Sequence, residues 1–234
     1  MNMNLAENIN TVRMRIKQAA QRAGRDPRDI KLLAVTKTRS PHMIDAALRN
    51  GIQFIAENRV QDAEEKLPLL TEKYREFHFI GHLQSNKIKK LLALAPTLIH
   101  SLDKLSTARK LSDHLEQLNR HQDVLIQVNT SGETSKFGVE PQKALDLIND
   151  IDRLPNLTVM GLMTIGILSA DRKMIRSCFQ LLRGMFRELQ DQGLSHGKMQ
   201  WLSMGMTSDF EIAIEEGANI IRIGSAIFGP INYD

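Results

Sequence analysis

The chain carries a single cysteine, Cys178, among 234 residues, with only two tyrosines and one tryptophan. One thiol excludes an intramolecular disulfide and any zinc site built on paired cysteines. No apolar run approaches the ~20 residues of a membrane helix, so no membrane partner is expected. The first residues, Met1–Ala23, mix polar and apolar positions at helical spacing. Such a pattern is not expected of a secretory signal, and a cytoplasmic setting is expected. Excess charge is scarce: 31 Lys+Arg against 27 Asp+Glu leaves +4. The longest basic cluster is Lys87-Ile88-Lys89-Lys90, and no stretch interleaves aromatics with basic residues, so nucleic acid is not an expected partner. Pro/Gly/Ser-rich linkers and low-complexity stretches are missing too, and residues 1–234 read as one domain. With 42% apolar and 25% charged residues, the chain has the composition of a folded protein.

What is present is a repeated pattern: a short apolar run, polar residues, then an amphipathic helix. The runs are Leu32–Val35, Ile52–Ala56, Phe77–Ile80, Thr97–His100, Val124–Val128, Leu157–Thr164, Met199–Leu202 and Asn219–Ile223. Between them, Leu105, Ala108, Leu111, Leu115 and Leu118 step by three or four, as do Phe179, Leu182, Phe186 and Leu189, which predicts helices with one apolar face. Leu5, Ile9, Val12 and Ile16 mark an extra helix before the first run. Ser40-Pro41 reads as an N-cap followed by proline in the first turn, and Ser208 with Glu211 has capping-box spacing. Strict alternation forces parallel strands, and eight units fit an α/β fold, a closed (β/α)8 TIM-like barrel. An open doubly wound sheet is the rival, but Val35-Thr36-Lys37-Thr38-Arg39 lacks the glycines its first turn would need.

A barrel gathers its functional groups at the C-terminal ends of its strands. There, Lys37 follows the buried run Leu32–Val35; an amine partly desolvated at the mouth is nucleophilic and forms Schiff bases with carbonyl compounds. The bland alternative is a lysine that reaches past the strand end to solvent. Ser203-Met204-Gly205-Met206-Thr207-Ser208 follows the seventh run and Gly224-Ser225-Ala226-Ile227-Phe228-Gly229 the eighth. Loops at these two places often bind phosphate, with glycines admitting the anion and hydroxyls donating to it. Together the features suggest a ligand with an aldehyde at one end and a phosphate at the other. Pyridoxal phosphate and a sugar phosphate both fit. Arg222, beside the cup, can only donate hydrogen bonds; it would keep a pyridine nitrogen unprotonated, or else pair with a helix carboxylate.

These residues carry a resemblance. Leu32–Thr38, Glu57-Asn58-Arg59-Val60-Gln61, His78–Lys87, Gln127-Val128-Asn129, Gly161-Leu162-Met163, Leu202–Asp209 and Arg222–Gly229 occur in the order found in the pyridoxal phosphate homeostasis proteins. That family is similar to the barrel half of fold-type III alanine racemase, and the resemblance covers nearly the whole chain. It implies that Lys37 carries the pyridoxal 5'-phosphate aldimine and that Arg222 meets the pyridine nitrogen. It further implies that Ser203, Thr207, Gly224 and Ser225 hold the phosphate, with Asn58 and Met206 lining the cofactor pocket. The partners implied are pyridoxal phosphate itself and, as recipients, apo-enzymes that use it; a monomer is expected. Departures are visible at Ile55-Ala56, where the family reads Phe-Gly, at Phe77 in place of Trp, and at Phe137 in place of a small residue. Thr36 and Thr207 replace serines and keep the hydroxyls.

The resemblance implies a binding protein in vitamin B6 homeostasis without catalytic residues; the alternative is an amino-acid racemase. Racemisation needs acid–base groups on both faces of the bound amino acid. The racemases supply the second from a tyrosine outside the barrel, and here the tyrosines are Tyr74, read as helical, and Tyr233 at the end of the chain. His78, His82 and His100 are expected near the pocket without metal-ligand spacing, so no metal is expected. His114, His121 and His196 read as solvated, the methionines as core filling, and Cys178 as opening a helix. Lys87 and Lys136 are the alternative amines for an aldehyde.

Overall fold

Parallel strands cannot be joined by tight turns, so each returns through a helix lying on the sheet. The computed structural model describes residues 4–230 and shows this arrangement closed on itself. The strands are β1 (Lys31–Val35), β2 (Phe54–Glu57), β3 (Glu76–Phe79), β4 (Leu98–Leu102), β5 (Gln122–Gln127), β6 (Leu157–Met163), β7 (Trp201–Ser203) and β8 (Ile220–Ile223). They pair in sequence order, and β8 closes the barrel against β1 with Arg222 opposite Leu33. Each expected run is a strand, with its ends shifted by two residues or fewer. The helices are α1 (Leu5–Arg22), α2 (Pro41–Arg49), α3 (Val60–Lys66), α4 (Ile88–Ala93), α5 (Leu105–Gln117), α6 (Pro141–Asp152), α7 (Arg172–Gln192), α8 (Phe210–Glu215) and α9 (Ser225–Phe228).

Side chains alternate across each strand, so the barrel wall separates two apolar regions. Outward residues such as Ile55, Phe77, Phe79, Ile99 and Ile221 pack beneath the helices, each buried side chain contributing roughly 1.5–3 kcal/mol. Inward, Leu33, Ala56, Leu98, Leu125, Met163 and Ile220 form a smaller cluster inside the barrel. The extra helix α1 buries Ile9, Val12, Ile16, Ala19 and Ala20 against the last two helices. Its Asn8 amide donates to the Ile227 carbonyl at 3.0 Å, and Arg15 forms a two-point pair with Glu211 at 3.3 and 3.0 Å. This helix thereby braces α9 at the edge of the barrel mouth.

Local readings fared unevenly. Ser40 does cap α2, accepting from the Met43 N–H, with Pro41 in the first turn. The Ser208 cap does not form: Asp209 stands at that position and its carboxylate accepts from the Met206 N–H at 2.5 Å, tightening the preceding loop. Leu118 lies past the end of α5 and is exposed. Tyr74 is in a loop, because Pro68 and a short 3-10 turn end the helical run before β3. Cys178 sits within α7, where it is buried and donates to the Thr130 carbonyl, rather than opening the helix. His114 is half-buried, not solvated, and Tyr233 lies outside the described residues. Among the described residues no helix is long and apolar enough to cross a membrane, and no three His, Cys, Asp or Glu side chains are grouped to hold a metal.

Candidate functional site

A cavity of about 620 Å³ opens at the C-terminal ends of the strands, within the ~300–1,000 Å³ of small-molecule sites. Seven of the eight candidate residues line it: Lys37, Asn58, Met206, Thr207, Arg222, Gly224 and Ser225. They come from the ends of β1, β2, β7 and β8, which the closed barrel brings around one opening. The eighth, Ser203, is not on the wall. As the last residue of β7 it turns inward below the pocket, with no exposed surface. Its hydroxyl is committed to Arg222 Nη1 at 2.7 Å and His100 Nδ1 at 2.9 Å. The expectation that Ser203 holds a phosphate is therefore corrected: alternation along the strand points it down the barrel axis.

Lys37 is exposed at the mouth, in contrast to the partial desolvation expected for it. It lies beyond the end of β1, where the chain turns through Thr38 at φ 63°. The residue before it is fixed from beneath: the Thr36 hydroxyl donates to Glu57 Oε1 at 2.7 Å, and Lys66 Nζ donates to the same oxygen at 2.9 Å and to the Thr36 carbonyl at 3.2 Å. The sequence offers Glu57 only as the first residue of the Glu57–Gln61 motif and does not mark Lys66, and nothing in their spacing marks such a strut.

On the floor, Arg222 is 4% exposed. Besides Ser203 it donates through Nη2 to the Thr164 carbonyl at 2.8 Å, so it is not paired with a helix carboxylate. Burial lowers its pKa to about 10, partly offset by Asp209, which leaves it charged at neutral pH. Asp209 itself is pushed up by burial, while the Met206 N–H and Arg222 pull it down. Gly205 makes this corner: it has φ +92°, and a Cβ there would lie 2.5 Å from Ala213 Cβ and 2.9 Å from Phe210 Cα. Its carbonyl accepts from the Arg222 N–H at 3.0 Å, tying the two loops together.

Those loops place two hydroxyls side by side. Thr207 Oγ1 accepts from Ser225 Oγ at 3.2 Å and from the Ala226 N–H at 3.3 Å. Opposite, Gly81 lets β3 end against the backbone of Asn58, where a Cβ would overlap the Asn58 carbonyl. The following residue, His82, stacks on Phe137 with ring centroids 4.0 Å apart and planes at 12°. Phe137, noted in the sequence only as a departure, thus forms a pocket wall. Arg39 is a further wall residue that sequence reasoning missed; its guanidinium donates to the Gly229 carbonyl at 2.5 Å. His78 and His100 lie inside the barrel below the pocket and do not line it. Nor do Lys87 and Lys136, and the Lys136 ammonium is already engaged by Glu133 at 2.6 Å and the Gly166 carbonyl at 2.9 Å.

Residues 8–231 match the family described as alanine racemase, N-terminal domain. Over 234 residues the chain is 42% identical to the pyridoxal phosphate homeostasis protein of Aquifex aeolicus, covering 99% of this chain and 100% of that one. Identity to the Vibrio cholerae counterpart is 39%, covering 98% and 97%. Among solved structures, PipY of Synechococcus elongatus with pyridoxal phosphate bound superposes with a TM-score of 0.81 at 29% identity, covering 97% of this chain and 100% of that one. An alanine racemase of Clostridium difficile shares the fold with a TM-score of 0.75 at 17% identity, but this chain spans only 57% of its length. Identity at this level, sustained from end to end of relatives of the same size, decides between the barrel's many possible families: the chain belongs to the pyridoxal phosphate homeostasis proteins.

Proposed function

We propose that this chain binds pyridoxal 5'-phosphate in the barrel mouth and serves vitamin B6 homeostasis by holding it, without catalysing a reaction of its own. The observation that carries this reading is Arg222, an obligate donor buried on the floor of a pocket whose rim presents the Lys37 amine and the Thr207–Ser225 hydroxyl pair. The donor set fits the cofactor. Lys37 supplies the amine for the aldehyde, Arg222 an N–H for the ring nitrogen, and Thr207, Ser225 and the Gly224 backbone the surround for the phosphate. Asn58 and Met206 wall the ring. When bound, the cofactor supplies an electrophilic aldehyde on an electron-withdrawing ring.

This chain's residues favour holding over catalysis. Arg222 cannot give up its proton at working pH and would leave a ring nitrogen unprotonated and the ring a poor electron sink, a handicap the related racemases share, so the second base decides. Among the described residues no tyrosine lines the pocket. Tyr74 precedes β3 and so belongs to the opposite face of the barrel. His82 is covered on one ring face by Phe137, and its Nδ1 lies 3.8 Å from Asp103 Oδ2. The exposure of Lys37 also leaves the amine open to exchange, which supports delivery of the cofactor to apo-enzymes.

Addition of pyridoxal phosphate to the purified protein tests the reading. A new visible absorption band should form with wild type and be lost in Lys37→Ala. An undiminished band in that variant would refute the site. Incubation with alanine in deuterated solvent separates the alternative: racemisation near one per second or faster, within the usual enzyme range, would establish the racemase.

A further inference from the structure

Below the pocket, polar side chains of β1, β3, β4, β7 and β8 share the barrel interior with the inward apolar cluster. They touch end to end. Arg222 Nη1 meets Ser203 Oγ at 2.7 Å, Ser203 Oγ meets His100 Nδ1 at 2.9 Å, and His100 Nε2 meets His78 Nδ1 at 2.8 Å. His78 Nε2 then meets Glu76 Oε2 at 2.8 Å, and Lys31 Nζ donates to that same oxygen at 2.6 Å. Lys31 and Glu76 begin β1 and β3, so the series runs from the pocket floor to the opposite face of the barrel. At that face the Lys31 ammonium lies over the rings of Trp201 and Phe54, at 4.5 and 4.8 Å from their centroids.

We propose that Lys31, Glu76, His78 and His100 are positioning residues that, through Ser203, form one directed chain of hydrogen bonds fixing Arg222 as the donor on the pocket floor. The two ends dictate the direction. Arg222 has only N–H groups to offer, so Ser203 accepts from it. Glu76, paired with Lys31, is an acceptor, so His78 must carry its proton on Nε2. A neutral His78 then accepts on Nδ1 from His100 Nε2–H, and His100 Nδ1 accepts the Ser203 hydroxyl proton. With neutral rings no other assignment satisfies all four contacts. One extra proton on His78 would reverse the two middle bonds, leave the Ser203 proton without an acceptor in the chain, and place an imidazolium between Lys31 and Arg222. Both rings are almost fully buried, and that desolvation lowers both pKa values, against the extra proton. The result is a guanidinium held at Nη1 by the chain and at Nη2 by Thr164, with three of its five N–H groups left over on a residue that lines the pocket.

The consequence for ligand binding rests on the reading that Arg222 faces the ring nitrogen, and the test keeps the two apart. In wild-type protein without ligand, histidine 15N spectra at pH 7 should show His78 and His100 both as Nε2–H tautomers with bare Nδ1. An Nδ1–H on either ring would overturn the chain. The second arm compares pyridoxal phosphate with its carbocyclic analogue, in which CH replaces the ring nitrogen. Wild type should favour the natural ligand, and His100→Leu should lose about tenfold of that preference, the scale of one hydrogen bond to a charged group, with analogue binding unchanged. His100→Gln, which offers an acceptor and a donor together, should restore it. Equal preference in wild type and His100→Leu would overturn the positioning role alone. Equal binding of both ligands by wild type would instead remove Arg222 from the ring nitrogen, and the tautomers would still judge the chain.

Discussion

Acidification should weaken this protein well above the carboxylate range, because two neutral imidazoles are buried inside the barrel. Burial lowers the pKa of His78, with Glu76 opposing and Lys31 adding to the effect. His100 is lowered well below 6.5 by burial, the charges of Arg222 and Lys31 push the same way, and a proton on His78 would add to them. Folded values below the unfolded one mean that the unfolded chain takes up protons first as pH falls. The stability these residues contribute is therefore complete above about pH 6.5 and is lost progressively below it. A histidine that stays neutral in the fold but titrates near 6.5 when unfolded costs about 1.2 kcal/mol between pH 7 and 5.5. His100 should give this full share. His78, beside Glu76, should give less, so the pair is worth up to about 2.5 kcal/mol. Urea unfolding at half-unit steps across this range measures it, with His100→Gln as the reference that keeps the hydrogen bonds and removes one titration. Wild type should lose about 1.2 kcal/mol more than the variant. Parallel stability curves would refute the placement of a neutral His100. Glu76, held at about 2 by the His78 hydrogen bond and by Lys31 against its burial, should add a separate loss only as pH falls from about 4.5 to about 2.

Two further outcomes follow from the loops after β7 and β8. Thr207→Ala with Ser225→Ala should weaken retention of pyridoxal phosphate at least tenfold, each charge-assisted bond being worth roughly 1.5–3 kcal/mol, while unphosphorylated pyridoxal is little affected; equal losses for both ligands would place the phosphate elsewhere. Gly205→Ala should cost about 2–4 kcal/mol in urea unfolding, from the strained φ and the overlap with Ala213 and Phe210, and a change under 0.5 kcal/mol would contradict the tight corner.

The fold was legible because the alternation of apolar runs with helical spacing admits few topologies, and closure needs only the count of eight. Positions that failed did so for local reasons. The N-cap position of α8 falls on Asp209 and not on Ser208, and the Asp209 carboxylate turns back to the Met206 N–H without capping the helix, a contact that composition does not encode. Much of the candidate pocket's lining was legible too, since strand ends converge in any barrel. What the sequence hid was parity. A strand-end serine can face the loop or the barrel axis, and β7, with three residues, shows no alternation long enough to choose. The same parity concealed the column from Glu76 to Arg222, whose members lie on β3, β4, β7 and β8 and meet only when the barrel closes. Glu57 and Lys66, which steady the backbone before Lys37, are likewise joined by folding and not by spacing.

Covalent trapping addresses the central claim most directly. Pyridoxal phosphate added to the native protein, reduced with borohydride and followed by peptide mapping, should leave the pyridoxyl group on Lys37, the amine that lines the same pocket as the Thr207–Ser225 pair. Recovery of the label chiefly on Lys87 or Lys136, both off the pocket wall, would contradict the account.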